Sequence, residues 1–425
     1  MNQNFKKYII FWLSQTVSQL GSAMTGYALI LWAYEKQRSA LTVSLMSFCN
    51  YVPYILVSLF AGAFVDRHSK KKIMLLSDSI AAVCSLMILG LNLYGSFQIW
   101  HIYLVNAVLG FMNAFQSPAS SVAIGRIVPK EKLANVSGMN SFSGNLTMVL
   151  TPVLAAFLYA FAGLKLILIF DLGSFVLAFM VLLLVIAIPE EKGENKKRKS
   201  VFEGCREGFV FLDRNRGLLI IVLTMALLNF FSRLTYENIL SPMVLARSGN
   251  DSMALGTVNA MMGIGGILGG IIVSTGKFSK NHVRMIYASA LLSFLLGDVC
   301  MGLGRNVFFW SVAGIAASLP IPFINAGQNV ILYSKVPDEM QGRVFAVRNA
   351  IQYSTIPIGI LLGGFLADYV FEPFMLSDHA AAEVLHMLVG SGKGSGMAVM
   401  FLCTGILGSL FSYLSYGSKE MEELK

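Results

Sequence analysis

The sequence predicts an all-α integral membrane protein, with twelve transmembrane helices arranged as two pseudo-symmetric six-helix bundles. Three observations predict it. The chain of 425 residues is 56% hydrophobic and only 13% charged, too little polar surface for a domain whose solvent is water. Apolar stretches of about twenty residues recur from end to end, the length a helix needs to cross roughly 30 Å of hydrocarbon. One long hydrophilic stretch, Pro189 to Arg216, divides six of these segments from six others.

In order, the apolar segments are 8–34, 41–65, 73–93, 99–125, 138–161 and 165–188, then 217–246, 253–275, 284–303, 307–333, 346–371 and 395–416. The first is too long for the apolar region of a signal peptide and is interrupted by Gln15 and Gln19, so it is expected to stay as a span. The fifth and eleventh contain Pro152 and Pro357, and the tenth Pro320 and Pro322, each of which removes a backbone donor and permits a bend. In the eighth, Gly265 and Gly269, with Gly266 and Gly270, are spaced so that another backbone can approach closely. The hydrophilic divider begins EEKGENKKRKS, a solvated run. It continues SVFEGCREGFVFLDRN, where Phe202, Phe209 and Leu212 form one apolar face of a short helix lying along the inner leaflet. The expected organisation is a first bundle over 1–190, a cytoplasmic linker over 191–214 and a second bundle over 215–425.

The halves resemble each other at a constant offset. Gly62 falls on Gly270, Phe115 on Phe323, and Val128-Pro129 on Val336-Pro337, all at equivalent places between segments. A duplicated six-helix unit is the usual build of a secondary transporter, with substrate held near the bilayer midplane. The net charge of +9 points to topology and not to nucleic acid. With both termini in the cytoplasm, only Lys36, Arg38, Lys165, Arg247, Arg305 and Lys393 fall in external loops, Arg233 lies within a helix, and the remaining basic residues crowd the inner side. The five cysteines are scattered, and the five histidines (His68, His101, His282, His379, His386) do not cluster at metal spacing. GSGKGSG (Gly390–Gly396) lacks the Ser or Thr of a phosphate loop, and GIGGILGG (Gly263–Gly270) fails the dinucleotide spacing. No catalytic residue, metal or cofactor is expected, and neither is an enzyme.

Residues Gly62 to Lys72 read GAFVDRHSKKK. This run resembles the signature loop that joins the second and third helices of the major facilitator superfamily at the cytoplasmic face. Gly62, Asp66, Arg67, Lys70 and Lys71 fit the pattern, while Ser69 replaces its second glycine. The resemblance implies that Asp66 acts at the cytoplasmic gate, with Arg126 at the end of the fourth helix as partner. The stretches YEKQRSALTVS (Tyr34–Ser44), AFQSPA (Ala114–Ala119), RIVPKEKLANVSGMNS (Arg126–Ser141) and VPDEMQGRVFAVRNAIQYSTIPIG (Val336–Gly359) resemble the drug–proton antiporter branch that contains the bacterial macrolide-efflux proteins. Enterobactin exporters share these patterns. The chain departs from antiporter habits where Asn106 and Leu109 stand near the place of a fourth-helix arginine, and where Thr151-Pro152 replaces Gly-Pro.

Ionisable side chains deep in a membrane helix are costly and mark cavities, partners or proton paths. In NFFSRLTYEN, Asn229, Arg233 and Glu237 repeat every four residues on one helix face, so Arg233 and Glu237 can pair. Glu237 is the leading proton-coupling residue, against a static salt bridge as the rival reading. Asp298 is a weaker one. Asp298, Asp171 and Asp78, and similarly Asp368, lie nearer helix ends, where a hydrated or hydrogen-bonded carboxylate is ordinary. The superfamily resemblance implies a central cavity lined by Gln15, Gln19 and Tyr27 of the first helix and Asn106, Asn113 and Gln116 of the fourth. Asn229 of the seventh and Asn325, Gln328 and Asn329 of the tenth join them. The expected activity is export of an amphipathic drug, macrolide antibiotics first, by proton-coupled alternating access in the bacterial cytoplasmic membrane. Export of a siderophore or peptide is the alternative, and a non-transporting membrane sensor or polytopic enzyme the reading from another class. The expected partners are the small-molecule substrate, protons and the lipid bilayer, with the protein a monomer.

Overall fold

The computed structural model describes residues 3–128, 133–186, 201–274 and 281–417. Among them the secondary structure is helical throughout. Nine helical stretches are long and apolar enough to cross a membrane. Large apolar side chains point outward along them, Phe161, Leu184 and Phe308 among the most exposed, as lipid-facing surface requires. The chain divides into two compact units, one over Met1–Gln37 with Leu45–Asn195, the other over Arg38–Ser44 with Lys196–Lys425.

The first unit contains α1 (Gln3–Gln37), α2 (Ala40–Arg67) from Leu45 onward, α3 (Lys70–Leu93), α4 (Ile99–Ile127) and α5 (Leu133–Leu184). Length qualifies α1 and α4 as spans, but they fall outside the nine. They are also the helices that carry Gln15, Gln19, Asn106, Asn113 and Gln116. α5 is broken at Gly163, whose φ of 65° lies in the left-handed region that favours glycine, so its two arms replace the expected fifth and sixth segments. The arms pack on α1 and α3 around Met24, Ala28, Ile88, Ala155, Ile167 and Leu168.

The second unit contains α6 (Val201–Arg214), α7 (Arg216–Thr235), α8 (Leu240–Arg247), α9 (Ser252–Ser274) and α10 (His282–Leu292). A π-helical turn, Ser293–Asp298, joins α10 to α11 (Val299–Leu303). α12 (Val307–Ser318), α13 (Ile321–Lys335) and α14 (Asp338–Leu366) follow, then a second π turn, Ala367–Phe371, and α15 (Glu372–Met375), α16 (Ala380–Val389) and α17 (Ser395–Tyr416). Pro320 and Pro322 interrupt the tenth span, Val307–Lys335, at the break between α12 and α13, where proline suits a helix start. The divider helix forms as α6 and is docked on the second unit. Leu212 is fully buried in that unit's core, Gly208 abuts the backbone of Arg343, and Glu207 pairs with Arg343, while Phe209 stays exposed. Phe202 lies among residues whose side chains are not described.

The glycine spacing of α9 resolves into one packing face. A Cβ at Gly265 would strike Ser318 and Ile315, and one at Gly269 would strike the Leu319 carbonyl. Gly266 and Gly270 face open space. Gly269→Ala is therefore expected to cost about 1–3 kcal/mol through overpacking. Gly270→Ala should be neutral or gain up to about 1 kcal/mol from reduced backbone entropy. Thermal unfolding of the two variants in detergent separates them.

Candidate functional site

Polar groups within apolar helices must find partners inside the protein, and each unit solves this locally. In the first unit, the loop between α2 and α3 is built by Ser69. With φ of −62° it needs no glycine, and its side chain accepts from the Lys72 amide to cap α3. Lys71 extends its ammonium to the carbonyls of Leu183 (2.9 Å) and Ile186 (2.7 Å), capping the C-terminal end of α5 where the helix dipole is negative. Lys70 is buried. The side chains of Gly62, Asp66, Arg67 and Arg126 lie outside the described residues, so the Asp66–Arg126 pairing does too.

Of the first-unit cavity residues, Gln116 donates to Asp78 Oδ1 at 2.5 Å, an amide–carboxylate pair between α4 and α3. The other Asp78 oxygen and Gln15 Nε2 are buried without a hydrogen-bond partner among the described residues. Asn106 turns back to the carbonyl of Ile102 (2.9 Å), which makes it a local backbone-bonded group. Its own carbonyl accepts from Asn50 of α2. Gln19 and Asn113 are exposed and Tyr27 half-buried. Asp171 is 5% exposed and takes the hydrogen-bonded form of the expectation, held by hydroxyls of Ser22 (2.9 Å), Thr25 (3.1 Å) and Ser85 (2.8 Å).

In the second unit, Arg233 and Glu237 form the ion pair that their spacing predicts, both about a third exposed. The helix does not run through as expected: α7 ends at Thr235 and Glu237 lies in the turn before α8. Helical backbone bonds persist there, Tyr236 to Ser232 and Ile239 to Thr235, so the four-residue register survives. Asn229 is half-buried on α7. On α13, Gln328 is buried with Nε2 unpartnered among the described residues, Asn325 is exposed, and Asn329 accepts from Arg348 at 3.0 Å. Arg348 stacks over Phe345 at 5.2 Å. Sequence reading counted Arg348 only among the basic residues of the inner side. Asp298 is 1% exposed in the first π turn; it accepts from Thr404 at 2.8 Å with Tyr236 beside it.

Two further acids face helix N-termini. Asp368 accepts from the Ser39 hydroxyl (2.6 Å) and from the amides of Ala40 (3.1 Å) and Leu41 (2.9 Å), which belong with the second unit. Asn238 secures the same segment by donating to Ser44 (2.7 Å) and to the Ile360 carbonyl (2.6 Å). One turn on, Glu372 accepts from the amides of Gly394 (3.0 Å) and Met397 (2.9 Å) at the start of α17. Arg247 and Arg305 donate to the last carbonyls of α16, on Val389 and on Met387 (2.8 Å). The stretch after Glu372, opaque in sequence, is thus an ordered cap.

Carboxylates, amides and one ion pair set within long apolar helices define a polytopic membrane transporter. The chain belongs to the major facilitator superfamily: the model of that family matches residues 11–360. It is 26% identical over 368 residues to macrolide efflux protein A of Streptococcus pyogenes, covering 86% of this chain and 90% of that one. It is 21% identical over 371 residues to the staphyloferrin A transporter of Staphylococcus aureus (strain NCTC 8325 / PS 47), covering 86% and 88%. A bacterial homologue of the human lysosomal transporter Spinster shares the fold with a TM-score of 0.69 at 13% identity, over 98% of this chain and 97% of that one.

Asp368→Ala removes the acceptor for three donors at the start of α2. A loss of about 2 kcal/mol is expected from these charge-assisted bonds, seen as a lower melting temperature in detergent. Asp368→Asn, which keeps one acceptor oxygen, should recover part of it.

Proposed function

We propose that the protein exports amphipathic drugs, macrolide-type antibiotics first, by proton-coupled alternating access. The observation that carries the substrate class is the similarity to a macrolide efflux protein over most of both chains. Coupling is assigned to Glu237. Its pairing with Arg233 in a membrane span leaves both side chains partly exposed, so the carboxylate can exchange a proton while the guanidinium offsets its charge. Asp298 is the second coupling group of that unit. Asp66 with Arg126 is the cytoplasmic gate. Twelve spans result when α1, α4 and the second arm of α5 join the nine apolar stretches, with both termini in the cytoplasm of a bacterial cell, and the protein works as a monomer. The amides of Gln15 and Gln116 in the first unit are polar anchors for substrate in a largely apolar setting. A second reading, siderophore export, is favoured by Arg348 beside Asn329, a cation suited to an anionic ligand, and by the similarity to a staphyloferrin A transporter.

Accumulation of labelled erythromycin in a drug-sensitive bacterium tests the first reading. Cells expressing the chain should hold less drug than empty-vector cells, and a protonophore should raise accumulation to the empty-vector level. Equal accumulation at verified membrane expression would remove macrolides. Glu237→Gln is expected to abolish the protonophore-sensitive difference; if coupled export survives it, Glu237 is only a structural partner of Arg233.

A further inference from the structure

Asp171 is the one described carboxylate in the first unit that is both almost fully buried and answered only by hydroxyl groups. It sits on the second arm of α5, and its donors come from two other helices: Ser22 to Oδ1, and Thr25 and Ser85 to Oδ2. No Lys, Arg or His pairs with it among the described residues. The titratable groups in the middle of the elements packed around it include Tyr27 on α1 and Asp78 and Cys84 on α3, with Lys165 on its own arm. None of them interacts with the carboxylate, which feels only burial and the three hydroxyls. An uncompensated charge in such a place costs several kcal/mol, and hydroxyl dipoles return only part of that.

We propose that Asp171 with Ser22, Thr25 and Ser85 is a further proton site of the transport cycle, the one that belongs to the first unit. A hydroxyl is a rotor that either donates or accepts. The same ring therefore serves both forms of the acid without any helix moving. Three donors hold the carboxylate, and one hydroxyl turns to accept when a proton adds to a carboxyl oxygen and removes the charge. A lysine or arginine in place of the ring would fix the ionised form. Ser22 is exposed while Thr25 and Ser85 are buried, which makes Ser22 the group through which the proton enters and leaves. The ring also depends on how α1 sits. A Cβ at Gly21 would meet the Ser174 hydroxyl at 2.6 Å and Asp171 Cα at 3.1 Å, so α1 is pressed against the second arm of α5 at this level. A shift of α1 would remove two of the three donors at once, which ties proton occupancy to helix position.

The second unit repeats the chemistry with the parts exchanged. Asp298 lies where its unit's seventh, ninth and twelfth spans meet, as Asp171 lies between the first, third and sixth. In the second unit the ninth span supplies the acid and the twelfth a hydroxyl; in the first the sixth supplies the acid and the third a hydroxyl. Each unit thus keeps one carboxylate at the corresponding three-helix seam.

The role in transport rests on the proton-coupled reading above, but the site is tested without substrate. The purified full-length protein in lipid is titrated while the infrared C=O stretch of protonated carboxylic acids is followed. Asp171→Asn, which preserves shape, should remove one pH-dependent acid band and leave the band that Asp298→Asn removes. Ser85→Ala, which keeps the acid and deletes one donor, should shift the Asp171 band and its titration midpoint. A protein that exports no macrolide but loses this band in Asp171→Asn still supports the site. If Asp171→Asn leaves every pH-dependent band in place, the proposal is overturned. It is equally overturned if sodium abolishes the band at constant pH, since the ring would then hold sodium.

Discussion

A carboxylate in hydrocarbon must be answered by donors from its own surroundings, and the arrangement of these helices follows from that demand. Asp171 draws Ser22, Thr25 and Ser85 to one level of the first unit, fixing α1 and α3 against the second arm of α5. Asp298 draws Thr404, fixing α17 against the first π turn. Asp368 and Glu372, a turn apart, take the unsatisfied amides at the starts of α2 and α17. Apolar packing alone gives little preference between one helix rotation and the next, because lipid tails are as apolar as leucine. Directional bonds to a few acids supply that preference.

Those bonds need close helix approach, and small residues allow it. Gly21 brings α1 onto the level of Asp171, Gly405 brings α17 onto Asp298 and Val299, and Gly363 brings α14 against Leu234 and Asn238. At each place a carboxylate or amide sits within a turn of the glycine. Packing and electrostatics are therefore one design: the glycine lets the backbone in, and the polar group holds it there.

The fold class was legible because hydropathy over twenty residues is a local signal, and so was the Arg233–Glu237 pair, whose four-residue spacing is local too. The family signature could be read at Lys71, yet its use as a cap on distant carbonyls could not. The Asp171 ring escaped because its members are far apart in the chain and each serine or threonine alone is unremarkable within an apolar helix. One signal was present: Ser22 and Thr25 fall on one face of the first helix, three residues apart. The full burial of Asp298 was not legible for a different reason. Distance along the sequence from a helix end is a poor guide to hydration when the span is lengthened by a π turn and covered by α17. Arg348 was missed because a basic residue beside a loop is usually counted as topology alone.

The run Gly390–Gly396 has the composition of a slack tether, with three glycines at positive φ and exposed Ser391 and Lys393. It is fastened by Arg247 and Arg305 to the carbonyls before it, and by Glu372 to the amide of Gly394 within it and of Met397 just after it. An engineer choosing where to place an affinity tag, or expecting trypsin to nick at Lys393, would be guided to this stretch by its glycines. Insertion there would spread the two fastenings apart and unseat α16 together with the start of α17, so the more forgiving place for foreign sequence lies elsewhere on the chain.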